Sequence, residues 1–215
     1  MKYNGQAEQD KFVLKVLNEK RNGYFLEIGS NDPIFINNTY ILEKEYGWKG
    51  IMIEYNYNYL NSYKIIRPSS IHIIEDATKI DYKKTFEENK MPLCLDYLQI
   101  DLDVVNKSTI DTLIKLDNEI FDIYKFATIT FEHDIYQGNH FNTRMISRDI
   151  FKKRGYVCVF EDISNRDMNN NTINPFEDWY VHPDLVDMNY INNLIDINKN
   201  NYDNNVIEWQ NIQYI

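Results

Sequence analysis

The segment Tyr24-Phe25-Leu26-Glu27-Ile28-Gly29-Ser30-Asn31-Asp32-Pro33, followed by Ile51-Met52-Ile53-Glu54, constrains this chain more than any other. Each half is a short apolar run, and turn formers and a helix-length stretch separate the two. That order reads as strand, tight polar loop, helix and second strand, the opening unit of a doubly wound α/β sheet. In such sheets the ligand lies beyond the carboxyl ends of the strands, where the strand order reverses. Gly29 lets the backbone come close to a ligand, and Glu54 stands where a carboxylate can accept hydrogen bonds from a ribose diol. The spacing from Gly29 to Glu54 fits the roughly 20 residues expected between such a loop and its acid.

The rest of the chain repeats the alternation. Phe12, Val13, Val16 and Leu17 fall on one helical stripe within 6–21, with Asn22-Gly23 as a stop. Strands are expected at 24–28, 50–54, 71–75, 94–100, 125–131, 156–160 and 179–181. Helices are expected from an Asn38 cap to Tyr46, ended by Gly47, and over 57–66, 107–117, 142–154 and 185–197. The Asn-rich stretch 165–174 reads as an exposed connection. Together these give an α/β, Rossmann-like fold with a mostly parallel seven-stranded sheet and helices on both faces. No linker or repeat divides the 215 residues, so a single domain over 1–215 is expected, with its core over about 20–183 and a C-terminal helix and tail over 184–215.

A formal charge of −10 and the lack of a Lys/Arg cluster argue against a general nucleic-acid or anionic-membrane binder. The N-terminus lacks a signal-peptide core and no apolar run approaches the ~18 residues of a spanning helix, so a cytoplasmic location is expected (the host cytoplasm for a viral protein). Overuse of Asn, Ile, Tyr and Lys is read as the coding bias of an AT-rich genome, such as that of a virus or protist. Cys94 and Cys158 lie in apolar runs and form no motif, which reads as two reduced core residues.

A family resemblance enters with Phe25-Leu26-Glu27-Ile28-Gly29-Ser30-Asn31-Asp32, Asn38-Thr39, Glu43-Lys44 and Gly47-Trp48-Lys49-Gly50-Ile51-Met52-Ile53-Glu54. These blocks, with Asp96-Tyr97-Leu98-Gln99-Ile100-Asp101 and Thr130-Phe131-Glu132-His133, resemble the FkbM family of class I methyltransferases over about residues 20–183. Members of that family use S-adenosylmethionine to methylate oxygen atoms, commonly hydroxyls of sugars or other natural products. The resemblance implies that Glu27 and Gly29 lie beside the methionine portion of the cofactor and that Ser30, Asn31 and Asp32 form the loop over it. It further implies Glu54 on the ribose hydroxyls, Tyr55 flanking the adenine, and Asp76 and Ala77 at the adenine edge. Two departures stand out. Pro33 replaces the usual glycine, fixing φ and removing a donor, and Leu102-Asp103-Val104-Val105 follows Asp101 where the family often has Glu-Gly.

Methyl transfer to a hydroxyl requires in-line alignment, a route for the hydroxyl proton and exclusion of water. Asp101 and Asp103 end the fourth strand and Glu132, His133 and Asp134 the fifth, so these groups are expected to converge beside the cofactor. One reading places Mg²⁺ on Asp101, Glu132 and Asp134, lowering the acceptor hydroxyl's pKa. The other, placed first, makes Asp101, Asp103 or His133 the general base without a metal. The polar and aromatic segments Tyr136–Arg144 and Pro175–Tyr180 offer surfaces for a sugar ring, or equally aromatic packing. The expected activity is therefore S-adenosylmethionine-dependent O-methylation of a sugar, glycan or related small molecule. A non-catalytic methyltransferase-like binding module is the alternative. A nicotinamide oxidoreductase ranks last, because the loop lacks Gly-x-Gly-x-x-Gly. For the tail 199–215, packing on the domain, pairing in a homodimer and hanging free all stay open.

Overall fold

The computed structural model describes residues 3–138, 141–203 and 205–215. Nine strands form one sheet: β1 Tyr24–Ile28, β2 Lys49–Glu54, β3 Ile71–Ile74, β4 Cys94–Ile100, β5 Lys125–Glu132, β6 Val157–Arg166, β7 Ile173–Val181, β8 Tyr202–Asp203 and β9 Val206–Glu208. Their order is β3-β2-β1-β4-β5-β7-β6-β9-β8. Strands β1 to β5 pair in parallel, while β7 inserts antiparallel between β5 and β6. The order reverses between β1 and β4, so the crevice of a doubly wound sheet opens at the carboxyl ends of these two strands.

Alternation along the strands separates the side chains into two apolar layers. On one face Phe25, Met52, Tyr97 and Trp179 pack with Phe12 of α1 (Gln9–Val16), Leu42 of α2 (Tyr40–Tyr46), Tyr63 of α3 (Leu60–Ile66) and Leu194 of α7 (Met188–Asn198). On the other, Leu26, Ile51, Leu98 and Phe131 pack with Phe86 of α4 (Tyr82–Glu88), Leu113 of α5 (Ser108–Glu119) and Phe151 of α6 (Phe141–Lys153). Each such fully buried side chain contributes about 1.5–3 kcal/mol relative to its exposed state. Trp179 is the centre of the first layer, with its ring centroid 4.7 Å from that of Phe12.

Several elements differ from the sequence reading. The helix expected over 6–21 is confined to Gln9–Val16, because Glu8, Asn18, Glu19 and Asn22 all take left-handed backbone conformations and turn the chain at both ends. Thr39, not Asn38, is the N-cap residue of α2, and the Asn38 side chain is buried instead. Gly47 does end that helix, at φ 73°. Helix α4 was not expected; Asp81 caps it by accepting from the Lys84 N–H. Strand β7 begins at Ile173 rather than 179, and β6 and β7 are joined by a turn over 167–172. The tail adds β9 beside β6 and β8 beyond it, which raises the sheet from seven strands to nine. Cys94 is exposed at the start of β4 rather than buried in the core. Among the described residues no helix is long and apolar enough to cross a membrane.

Candidate active site

Gly29 and Asp101 approach each other closely, backbone to backbone, at the crevice. Gly29 has φ 86°, and a Cβ built on it would stand 1.8 Å from the Asp101 carbonyl oxygen. The Asp101 N–H meanwhile donates to the Ile28 carbonyl at 3.0 Å. Only glycine permits this contact, which brings the ends of β1 and β4 together. Above it lies an open cavity of about 690 Å³, whose wall includes Glu27, Gly29, Ser30, Asn31, Asp32, Glu54, Gln99 and Asp101. A second cavity of about 590 Å³, lined by Tyr55, Asp76, Ala77 and Thr78, adjoins it through the shared Leu102 and Asp103. Both volumes fall in the range of small-molecule sites.

Buried polar groups hold the loop after β1. Glu27 is almost fully buried and accepts from Thr39 Oγ1 at 2.9 Å and from Asn37 Nδ2 at 3.3 Å. Burial pushes its carboxyl up to about 6, against the pull of the Arg67 charge and these hydrogen bonds. Arg67, wholly buried, donates to Glu43 Oε2 at 2.9 Å, Asn37 Oδ1 at 2.8 Å and Thr39 Oγ1 at 2.6 Å. Ser30 Oγ donates toward the Glu27 and Ile53 carbonyls, both at 3.3 Å, tying the loop to β1 and β2. Asn31 sits at φ 48°, a conformation asparagine tolerates. Asp32 Oδ1 accepts from the Ile34 and Phe35 N–H groups, the turn that Pro33 imposes. The turn leaves Phe35 and Ile36 exposed at the rim.

On the second strand Glu54 is oriented by the backbone. Its two oxygens accept from the Asn31 and Asn56 N–H groups, each at 2.8 Å. Every carboxylate oxygen has a second acceptor site, so Glu54 keeps the capacity to bind a diol from the cavity. Tyr55 is exposed along the second cavity. Asp76 caps the turn at Ala77 by accepting from the Thr78 N–H and hydroxyl, which hold its carboxyl below the usual range.

The strand ends carry a row of acids. The β4–β5 register pairs Ile100 with Phe131, which sets Asp101 beside Glu132, and Glu132 pairs with Glu177 on β7. Burial, then the neighbouring Asp101 carboxylate, raises Glu132 well above a normal carboxyl, and the two side chains are hydrogen-bonded. Burial also pushes Glu177 up to about 8, although the Trp179 indole N–H and Gln9 Nε2 both donate to it. Glu177 was not singled out by sequence reasoning; its signal was a carboxylate just before the apolar run Trp179-Tyr180-Val181.

The other expected groups lie elsewhere. Asp103 lines both cavities, but one carboxylate oxygen accepts from the Val105 N–H in a local turn. His133 points to the opposite face from Glu132, as strand alternation demands, and is fully buried away from the cavity. Its Nε2 lies 3.4 Å from Asp162 and 3.5 Å from Asp178, which together outweigh burial and raise its pKa. That imidazole lines neither cavity. Asp134 is nearly buried and its carboxylate receives the Gln137 amide. Asp101, Glu132 and Asp134 therefore do not form the expected cation site. Among the described residues, the one group of three whose ligand atoms lie within 4.8 Å of one another is His133, Asp162 and Asp178. Arg148 bonds Asp178 at 2.7 and 2.8 Å and approaches Asp162 at 3.0 Å, and Arg144 bonds Asp162 at 2.8 and 2.9 Å. Two guanidinium groups already neutralise these carboxylates, so the cluster does not suit a divalent cation.

The expected sugar surfaces fare differently. In Pro175–Tyr180 the residues Phe176 to Tyr180 are buried, which makes the segment core. In Tyr136–Arg144, Asn139 and His140 lie outside the described residues.

No family model matches the chain, and no curated protein matches it by sequence. Solved structures do match in fold. A Clostridium thermocellum protein described as an rRNA methylase has a TM-score of 0.52 at 11% identity, covering 84% of this chain and 98% of that one. A S-adenosylmethionine-dependent methyltransferase from Archaeoglobus fulgidus gives 0.51 at 15% identity, over 81% of this chain and 91% of the other. The precorrin-6y C5,15-methyltransferase of Geobacter metallireducens gives 0.50 at 10% identity, over 80% and 86%. The chain thus has the Rossmann-like fold of class I S-adenosylmethionine-dependent methyltransferases.

Proposed function

We propose that the protein is an S-adenosylmethionine-dependent O-methyltransferase of the FkbM type, acting on a hydroxyl of a sugar, glycan or related small molecule. The observation that carries the cofactor reading is the paired cavity at the β1–β4 reversal, with Glu27 at its floor, Glu54 at the second strand and Asp76 in the adjoining lobe. The glycine cradle at position 29 and the pre-oriented Glu54 fit a nucleoside with an amino-acid tail. The sulfonium cofactor supplies an electrophilic methyl group. Asp101 lines the cavity, where it would accept the proton of an acceptor hydroxyl that attacks the methyl group. Glu132 lies beside it, its carboxyl raised well above the usual range by burial and then by Asp101. The oxygen acceptor rests on the FkbM resemblance of residues 25–54.

Calorimetric titration with S-adenosylmethionine tests the cofactor, and absence of binding would end the proposal. Incubation with a panel of sugars and labelled cofactor tests the acceptor. Transfer that survives EDTA is expected from the scattered carboxylates at the strand ends.

A further inference from the structure

The loop after β1 turns apolar side chains outward at the mouth of the larger cavity. Phe35 is 73% exposed and Ile36 46%, yet both belong to the wall that also holds Asp101 and Asp103. Apolar groups left open to water beside a cavity mark a place where something else packs. The loop is held in that shape rather than left slack. Asp32 Oδ1 fixes the Ile34 and Phe35 N–H groups, Asn4 Nδ2 donates to the Ile34 carbonyl at 3.0 Å, and Asn37 Nδ2 donates to the Ser30 carbonyl at 2.9 Å. Ile36 has φ 55°. A β-branched residue takes the left-handed region only where its surroundings impose it, and such positions gather at ligand clamps.

The charge of the wall selects among occupants. Glu27, Asp32, Glu54, Asp101 and Asp103 line the larger cavity, and Asp76 and Asp111 the adjoining one. Among the described residues lining the two there is no lysine, arginine or histidine. An acceptor bearing a phosphate or carboxylate would enter this field without a counter-charge. A sugar ring is uncharged and carries a face of C–H groups, which an exposed phenyl ring can cover while the hydroxyls reach the carboxylates. Resting on the methyltransferase reading above, we propose that Phe35 and Ile36 form the specificity-determining platform of the acceptor site. The acceptor it fits is a neutral glycoside rather than an anionic sugar or a nucleic acid.

Binding to the full chain, saturated with S-adenosylhomocysteine, tests this without turnover. The probes are phenyl β-glucoside and phenyl β-glucuronide, which differ by a single carboxylate, and calorimetry reads their affinities. The glucoside is expected to bind at least about tenfold tighter than the glucuronide, and added salt should narrow that gap. Phe35→Ala should weaken the glucoside about tenfold and leave S-adenosylhomocysteine within about twofold; Phe35→Trp, which keeps an aromatic face, should retain the glucoside. Equal affinity for the two probes, no binding of the glucoside, an unaltered glucoside affinity in Phe35→Ala, or parallel loss of both ligands in that variant would each overturn the assignment. Failure of the unaltered protein to bind S-adenosylhomocysteine would instead remove the cofactor reading beneath it.

Discussion

Two buried charge networks flank the crevice, and they differ in what they leave over. On the β1 side Arg67 serves Glu43, Asn37 and Thr39, and that scaffold presents Glu27 to the cavity wall. On the β6–β7 side Arg148 and Arg144 serve Asp178 and Asp162, with His133 between them, and none of these groups lines the two cavities. The first network spends its hydrogen bonds holding a functional acid; the second is closed on itself and ties α6 to the sheet. Similar residue types thus do different work, and the test is whether a group remains facing the ligand.

The largest effect should come from Arg67→Met. Removing a fully buried partner leaves Glu43 uncompensated and is expected to lower stability by about 3–5 kcal/mol. Chemical denaturation measures that loss, and calorimetry should show nucleoside affinity falling with it, since the 31–37 loop loses its anchor. Next, Asp178→Asn should lower stability by about 2 kcal/mol, because Arg148 and His133 lose their shared partner and Arg148 is partly exposed. Nucleoside affinity in that variant should stay within twofold; a larger fall would erase the contrast between the networks.

A third effect is one of pH. Glu177 has a folded-state pKa of about 8, above its ordinary value, so the folded protein binds the extra proton between roughly 4.5 and 8. Its contribution is present in full below the ordinary carboxyl range and is lost as pH rises through 8. His133, also raised, acts in the same direction, full below its ordinary value and lost above the raised one. Melting temperatures should therefore fall from pH 6 to 9, and Glu177→Gln should flatten that slope; an unchanged slope would place the titration elsewhere. The smallest effect belongs to the surface. Lys125→Ala breaks an exposed pair with Asp184 and should leave the denaturation midpoint essentially unchanged, a baseline against which the buried networks are judged.

Much of the nucleotide side was legible in the sequence because each signal was local. Phe25 to Gly29 is an unbroken buried strand closed by a glycine, and Gly47 marks a helix end wherever it stands. The acids at strand ends could be named, but not their facing. Glu132 ends β5 and His133 follows it directly; the first lies beside Asp101 and the second against Asp162 and Asp178, so the two do not enter one crevice. Helix α4 was missed because its stripe, Tyr82 and Phe86, spans a single repeat. The tail could not be read because β9 is three residues long and gains its meaning from β6.

The margins of the sheet carry a consequence for how copies of this chain meet one another. One margin is β3, four residues long, and the other is β8, only two. So few unpaired amides offer little template for a neighbouring chain to zip onto, and the C-terminal hairpin works as a selvedge that guards the cloth from further weaving.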